Sequence, residues 1–142
     1  MIDLKNGIVE FNGIVITRDS TPDDFNKLPK GTVQYSTSRR FGGSFYKIAK
    51  PVSADGIEMS ASIDFLPGQV VPQIELRPYG TKDCREAFAA SHKWLESVLE
   101  DSIEVVDYIL VLESNKMKVS SIVKYTPRDG LESGGSIEIK FY

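Results

Sequence analysis

The chain has 142 residues, of which 41% are hydrophobic and 26% are charged, and its formal net charge is −3 with a pI of about 5.2. This composition is typical of a globular protein, fits one domain over residues 1–142, and argues against general nucleic-acid binding, which normally needs a positive excess. The single cysteine, Cys84, excludes an intrachain disulfide and a cysteine-based zinc cluster.

The amino terminus and the apolar runs indicate the compartment. Residues 1–7 contain no basic region followed by an apolar one, so no signal peptide is predicted. The longest apolar runs, such as residues 108–112, are far too short to span a bilayer. We therefore expect a cytoplasmic protein with no membrane partner, and a secreted protein whose leader has been removed is the alternative.

The first elements are a hairpin and a short helix. Two β-rich runs, residues 8–11 and 14–17, flank Asn12 and Gly13, which tolerate the positive φ of a type I′ turn. The face predicted to lie against a core carries Val9, Phe11, Ile14 and Ile16. A short helix is predicted near residues 22–28, because Thr21 can cap it and Pro22 suits its first position.

The middle of the chain predicts strands separated by loops. Residues 36–44 have the composition of a polar loop, residues 45–48 that of a strand, and residues 51–56 that of a turn. Apolar and polar residues alternate cleanly over residues 58–65, which predicts a strand with one buried face. In the following β-rich run, Pro72 indicates an edge strand, a bulge or two separate pieces.

The clearest helix is predicted from about residue 82 to residue 101. Asp83 and Glu86 have capping-box spacing at its start. Its apolar stripe consists of Cys84, Ala87, Phe88, Trp94, Leu95, Val98 and Leu99. We expect this helix to pack across a sheet and to hold much of the core.

The carboxyl-terminal part predicts more strands, over residues 105–113, 117–125 and 137–142, with a long turn between the last two. That turn contains Arg128, Asp129 and Glu132, which would suit either a binding loop or a plain hairpin end. Short turns between strands favour antiparallel pairing. The predicted fold class is therefore α+β, with a curved, mostly antiparallel sheet packed on one long helix.

No catalytic motif is present. His92 lies at the edge of the helix stripe without an indicated nucleophile or orienting carboxylate, so a structural imidazole is favoured over a general base. Cys84 suits a buried thiol better than a dipole-stabilised thiolate. We therefore predict no catalytic residue, no metal site and no cofactor, although an enzyme with a dispersed active site is an open alternative.

The charges are sorted along the chain. Residues 25–54, the basic segment, contain six basic residues and no acidic one: Lys27, Lys30, Arg39, Arg40, Lys47 and Lys50. Residues 94–115, the acidic segment, contain six acidic residues and no basic one: Glu96, Glu100, Asp101, Glu104, Asp107 and Glu113. The two segments either neutralise each other in the fold or leave an acidic surface for a basic partner, and the sequence leaves both open.

Two kinds of binding follow from this pattern. Arg39 and Arg40, followed by two glycines, form the best anion-binding candidate, and residues 39–50 would serve a ligand- or nucleic-acid-binding domain. The preferred prediction is a small soluble non-enzymatic protein-binding module whose acidic surface meets a basic protein. The residues predicted to bind that partner are Glu96, Glu100, Asp101, Glu104 and Asp107. An open sheet edge would also permit a homodimer.

In size, acidity and strand–helix–strand layout, the chain resembles the small bacterial immunity proteins that neutralise toxins. The likeness covers general architecture and no particular motif. It implies a bacterial protein that acts by stoichiometric blocking, in which the acidic surface covers the basic active-site or substrate-binding surface of a toxin such as a nuclease.

Overall fold

The computed structural model describes residues 1–38, 40, 42–81, 83–99, 110–123 and 135–142. Its elements in chain order are β1 (Ile2–Asp3), β2 (Ile8–Phe11), β3 (Ile14–Ile16), α1 (Pro22–Asn26), β4 (Val33–Ser36), β5 (Ser44–Ile48), β6 (Val52–Ala54), β7 (Ile57–Phe65), β8 (Gln73–Pro78), α2 (Cys84–Val98), β9 (Leu110–Glu113), β10 (Met117–Val123) and β11 (Gly135–Phe141). Neither helix in these ranges is both long and apolar enough to cross a bilayer.

The strands form two antiparallel sheets. The small sheet has the order β1-β2-β3, and the large sheet has the order β4-β5-β7-β8-β11-β10-β9. The short strand β6 pairs with the first residues of β7. This arrangement confirms the predicted antiparallel pairing and an α+β composition of mostly sheet with two helices.

The predicted amino-terminal hairpin is confirmed. Asn12 has φ 51° and Gly13 has φ 81°, the left-handed pair that a type I′ turn requires. Val9 pairs with Ile16 and Phe11 with Ile14, and all four side chains are buried. The hairpin therefore contributes one apolar face to the core, as its alternation predicts.

The alternating strand is confirmed as β7, which pairs with β5 and β6 on one side and with β8 on the other. Its inward residues Met59, Ala61, Ile63 and Phe65 are all buried. Pro72 lies just before β8, so the predicted interruption falls at a strand start, where a missing N–H costs no ladder hydrogen bond.

The main helix is shorter than predicted. It runs from Cys84 to Val98, fifteen residues, so the prediction of one long helix over about 82–101 is wrong at the carboxyl end. Leu99 adopts extended angles (φ −84°, ψ 136°) and forms a parallel bridge with Ile2 of β1. A backbone pairing with the small sheet therefore ends the helix. At its start, the Asp83 side chain accepts a hydrogen bond from the Glu86 N–H at 2.9 Å, as the capping spacing predicts.

The short helix α1 is confirmed near its predicted position, over Pro22–Asn26. The Asp24 carboxylate accepts hydrogen bonds from the Thr21 backbone N–H at 2.7 Å and from the Thr21 hydroxyl at 3.1 Å. These bonds lower the pKa of Asp24, because they stabilise its charged form.

The core lies between the large sheet, α2 and the small sheet. Trp94 is fully buried, packs on Phe11 with ring centroids 5.6 Å apart, and donates its Nε1–H to the Val52 carbonyl at 3.1 Å. One side chain thus ties the helix, the small sheet and β6 together. The predicted packing of α2 across a sheet is confirmed by its contacts with β11, β10 and β8.

Three strands were not predicted: β1, β4 and β6. Residues 51–56 were predicted as a turn, but Val52–Ala54 pair with β7. The first part of the predicted strand 105–113, up to residue 109, lies outside the described residues. The loop that contains Arg128, Asp129 and Glu132 also lies outside them.

Candidate functional site

The strand order decides where the charged segments lie. The basic segment passes through β4 and β5, which form one edge of the large sheet, and the acidic segment ends in β9 at the opposite edge. Five inter-strand steps separate β5 from β9, which at about 4.8 Å a step is roughly 24 Å along the sheet. At physiological salt the Debye length is about 8 Å, so charges at these two edges do not neutralise each other.

Two ion pairs between described residues bear on how the segments meet. Arg77 pairs with Glu75 at 2.7 Å, and Lys93 pairs with Asp55 at 3.7 Å. Neither pair joins charged residues of the two segments, but Lys93 and Asp55 directly flank them. Trp94 of the acidic segment also donates to the Val52 carbonyl of the basic segment at 3.1 Å, so the two segments approach each other where α2 meets β6. Lys93 and Asp55 are well exposed, so that pair contributes little to stability, whereas Glu75 of the other pair is only 22% exposed.

The acidic segment presents two described carboxylates to solvent. Glu96 is exposed on α2, and Glu113 is exposed at the end of β9. The Glu113 carboxylate accepts a hydrogen bond from the Tyr142 hydroxyl, and this bond raises the pKa of Tyr142 because it stabilises the protonated phenol. Four predicted partner-binding residues lie outside the described residues: Glu100, Asp101, Glu104 and Asp107.

A groove of about 410 Å³ lies beside Glu113. Its apolar lining is Leu4, Leu99 and Leu112, and its polar lining includes Lys5. Leu99 directly follows the last turn of α2, the turn that begins near Glu96, so the groove connects the two described ends of the acidic segment. The sequence did not indicate this groove, because its three leucines come from distant parts of the chain.

Ser114 holds one wall of the groove in place. Its hydroxyl donates to the Leu4 carbonyl at 2.6 Å and accepts hydrogen bonds from the backbone N–H groups of Lys116 at 3.0 Å and Met117 at 3.1 Å. This serine therefore builds the β9–β10 turn and attaches it to the amino-terminal region. The groove wall is preorganised by these bonds, which lowers the entropy cost of binding there.

The edge of the large sheet formed by β4 and β5, opposite β9, is basic. Lys27, Lys30, Lys47 and Lys50 are exposed, as is Arg40. Arg39, the other member of the predicted anion-binding pair, lies outside the described residues. Lys27 and Lys30 lie between α1 and β4, and Lys47 and Lys50 lie in and just after β5.

The glycines after Arg40 have a structural explanation. Gly42 (φ 71°) donates its N–H to the Ser38 carbonyl at 2.8 Å, so this amide is used within the loop. Gly43 has φ 88°, and a Cβ placed there would lie only 2.8 Å from the Phe65 carbonyl oxygen. The loop thus needs glycine for close packing against β7, and the predicted anion cradle gains no support from the Gly42 amide.

His92 is buried on α2, with 8% of its surface exposed. Its ring packs against Phe88 in a tilted arrangement with centroids 3.9 Å apart, and its Nε2 has no hydrogen-bond partner in the described part of the chain. Burial lowers the pKa of His92, and Glu96 one turn away partly opposes that shift. Cys84 is the first residue of the same helix.

Two observations on the described residues concern metal binding and His92. No group of three or more His, Cys, Asp or Glu side chains within them could hold a metal ion. The buried imidazole contacts a phenylalanine instead of a nucleophile. What the described residues do present is a basic edge at β4 and β5 and, at the β9 edge, an apolar groove beside the Glu113 carboxylate.

Comparison with protein-family models, with curated proteins and with solved structures finds no match for this chain.

Proposed function

We propose that the protein is a small non-enzymatic binding module that recognises a basic protein partner through its acidic surface. This surface consists of Glu96 and Glu113 in the described residues. The residues that the sequence prediction adds to it are Glu100, Asp101, Glu104 and Asp107. The observation that carries the proposal is the strand order, which places β9 at the sheet edge opposite β4 and β5.

The separation matters because it keeps the Glu113 carboxylate on β9 away from Lys47 of β5. Carboxylates paired with the basic segment would present no net field to a partner. At roughly 24 Å along the sheet, screening weakens the interaction of Glu113 with Lys47 of β5. Lys118 lies opposite Glu113 in the β9–β10 register and Lys5 lines the same groove, so these two lysines also contribute to the local field. An acidic surface increases the association rate with a basic partner and disfavours acidic ones.

The groove beside Glu113 adds an apolar contact surface to the charged one. Rim charges guide association, whereas most binding energy comes from a few apolar anchors in desolvated pockets. Leu4, Leu99 and Leu112 offer such a pocket next to the carboxylates. A basic partner that inserts one apolar side chain here would gain both rate and residence time.

In its narrow form, the proposal makes the chain an immunity-type protein that blocks a basic toxin domain. The absence of a metal cluster and of a partnered catalytic histidine among the described residues is consistent with a stoichiometric blocker. The acidic surface would then cover a nucleic-acid-binding surface of a nuclease, which is basic for the same electrostatic reason.

The test uses purified basic nuclease toxin domains as probes and measures association rates by stopped-flow fluorescence across a salt series. The double variant Glu96→Lys with Glu113→Lys should slow association by about tenfold at low salt and flatten the salt dependence. The matched control reverses two exposed acids elsewhere, Glu10→Lys with Glu58→Lys, and should leave the rate nearly unchanged.

A second variant reverses the acids that the sequence prediction adds, Glu100, Asp101 and Glu104. It should slow association further while circular dichroism shows an unchanged fold. Equal rates for the wild type and both acidic-surface variants would contradict the proposal, as would binding that is independent of salt.

A further inference from the structure

The strand β4 leaves one side of the large sheet open. It is the first strand in the sheet order, and among the described strands it pairs only with β5. Three of its four residues are exposed, and Tyr35 keeps 56% of its surface in solvent. An edge of this kind is a template for another strand.

The register identifies the backbone groups that face outward. Ala49 donates its N–H to the Thr32 carbonyl at 3.0 Å, and the β4–β5 register continues from that pair with Val33 opposite Ile48. In an antiparallel pair, hydrogen-bonded and non-hydrogen-bonded positions alternate. The N–H and C=O groups of Val33 and Tyr35 therefore point away from β5, toward the open side.

The strand is short, with four residues, but it carries no charged residue or proline that would prevent pairing. Residues 31–38 contain no charged residue and no proline, although edge strands are commonly protected by lysine, proline or a bulge. The Tyr35 ring rests on Tyr46 with centroids 5.2 Å apart, so it offers a partly supported aromatic surface beside the open edge. The backbone and the side chain are both suited to an added strand.

The charges around this edge favour an acidic partner. Lys30 precedes the strand, Arg40 follows it, and Lys47 lies opposite Gln34 on β5, all three of them exposed. Burial raises the pKa of Tyr46, and the exposed Asp23 on α1 adds to that rise, so its charge partly offsets that of the lysines near this edge. Two other acids are less available. Asp64 on β7 is only 6% exposed and accepts a hydrogen bond from Ser62, and Asp24 on α1 is held by Thr21.

The same charges distinguish the candidate occupants. A second copy would bring its own Lys30 and Lys47 to the same seam, and gathering like charges is destabilising. A nucleic acid would use the lysines but would not satisfy the outward N–H and C=O groups of Val33 and Tyr35. An extended polypeptide with acidic residues satisfies both the backbone and the charge.

We propose that the β4 edge binds an extended acidic segment of a partner polypeptide, which joins the large sheet as an additional strand. The segment pairs its backbone with Val33 and Tyr35, places an apolar side chain against the Tyr35 ring, and directs carboxylates toward Lys30 and Lys47. This site is independent of the acidic surface, which lies at the opposite sheet edge and prefers a basic partner.

The probe is a short fluorescein-labelled peptide of alternating valine and threonine flanked by glutamates. Binding to the full chain is followed by fluorescence anisotropy at low salt, and amide chemical shifts are recorded by NMR. The peptide should shift the amide signals of Val33 and Tyr35 most and slow their hydrogen exchange. The same peptide flanked by lysines should bind at least about tenfold more weakly.

Two further reagents separate strand pairing from simple charge attraction. A glutamate-flanked peptide with alternate backbone nitrogens methylated keeps its charge but loses its donors, and it should lose binding. Lys30→Glu with Lys47→Glu should weaken binding about tenfold, whereas the control Lys118→Glu with Lys140→Glu, on β10 and β11, should not. Tyr35→Pro should abolish binding if circular dichroism shows it folded, since proline at this position removes an outward donor.

Several outcomes would overturn the proposal. If the methylated peptide bound as tightly as the unmethylated one, backbone hydrogen bonds between the peptide and β4 would not contribute to binding. Tighter binding of a DNA oligonucleotide than of the glutamate-flanked peptide would assign the basic edge to nucleic acid. A stable dimer of the wild type that Tyr35→Pro converts to a monomer would assign β4 to a second copy.

Discussion

Trp94→Phe is the substitution that probes the centre of the fold most sharply. Trp94 is the only tryptophan in the chain and is fully buried. It reaches the small sheet through Phe11 and β6 through the Val52 carbonyl. Phenylalanine keeps the aromatic character but removes the indole N–H and part of the packed volume.

The expected cost has two parts. The lost hydrogen bond to Val52 contributes about 0.5–1.5 kcal/mol. The missing atoms add about 1–2 kcal/mol in transfer and cavity free energy, because a close-packed core relaxes only partly. The sum is roughly 1.5–3.5 kcal/mol, a large share of the roughly 5–15 kcal/mol by which a domain is normally stable.

The assay is urea unfolding followed by far-ultraviolet circular dichroism, because the variant lacks the fluorescent indole. With a slope of about 1–3 kcal/mol per molar urea, the midpoint should fall by about 1–2 M. The control is Val70→Ala at a side chain that is 85% exposed, which should change the free energy of unfolding by less than about 0.5 kcal/mol.

The contrary result is a Trp94→Phe variant whose free energy of unfolding falls by no more than that of Val70→Ala. That result would mean that α2, β6 and the small sheet are not tied together through this side chain. Unchanged stability combined with a tryptophan emission maximum typical of an exposed indole would refute the burial itself.

The remaining predictions concern pH, glycine and capping. Burial lowers the folded-state pKa of His92 below its ordinary value of 6.5, so near that pH the unfolded state binds more protons than the folded state. The stability that His92 contributes is therefore complete above 6.5 and is lost as pH falls toward the folded-state pKa. Urea midpoints between about pH 7.5 and pH 5.5 should therefore fall in the wild type and stay flatter in His92→Phe. Gly43→Ala should cost about 1–3 kcal/mol in thermal or urea unfolding, more than Gly31→Ala, because both have positive φ but only the former meets a carbonyl oxygen of β7 at 2.8 Å; equal losses would refute the close contact. Asp83→Ala should lower the free energy of unfolding by about 1 kcal/mol, since the Asp83 side chain accepts the Glu86 N–H at the start of α2. A decrease no larger than that of an exposed loop substitution would show that this cap does not stabilise the fold.

Local pattern was sufficient wherever one face of an element meets the core. The hairpin turn at Asn12 and Gly13 and the alternation along β7 were predicted because the residues that determine them are neighbours in sequence. The start of α2 was predicted for the same reason, since the cap and its donor are three residues apart.

Elements that depend on distant partners were missed. β4 has three exposed residues of four, so it carries no alternation that burial would impose. β6 resembles a turn in composition and becomes a strand only because β7 is beside it. The helix periodicity continues through Leu99, but a bridge to Ile2, near the other end of the chain, redirects the backbone.

The candidate surfaces divide in the same way. The two charged segments could be read directly from the sequence, but whether they neutralise each other depended on the strand order, which no local pattern contains. The groove formed by Leu4, Leu99 and Leu112 is likewise a product of tertiary structure. Sequence therefore predicted the charge of the proposed partner surface, and the fold supplied its position and its apolar anchor.

The measurement that tests the account most directly is the distance between the two charged edges. Spin labels placed by Lys47→Cys and Glu113→Cys in a Cys84→Ser background report it by pulsed electron paramagnetic resonance. The strand order predicts a separation of about 20 Å or more. A separation within about 10 Å, close to one Debye length, would mean that the basic and acidic segments neutralise each other, and it would contradict the proposed acidic surface.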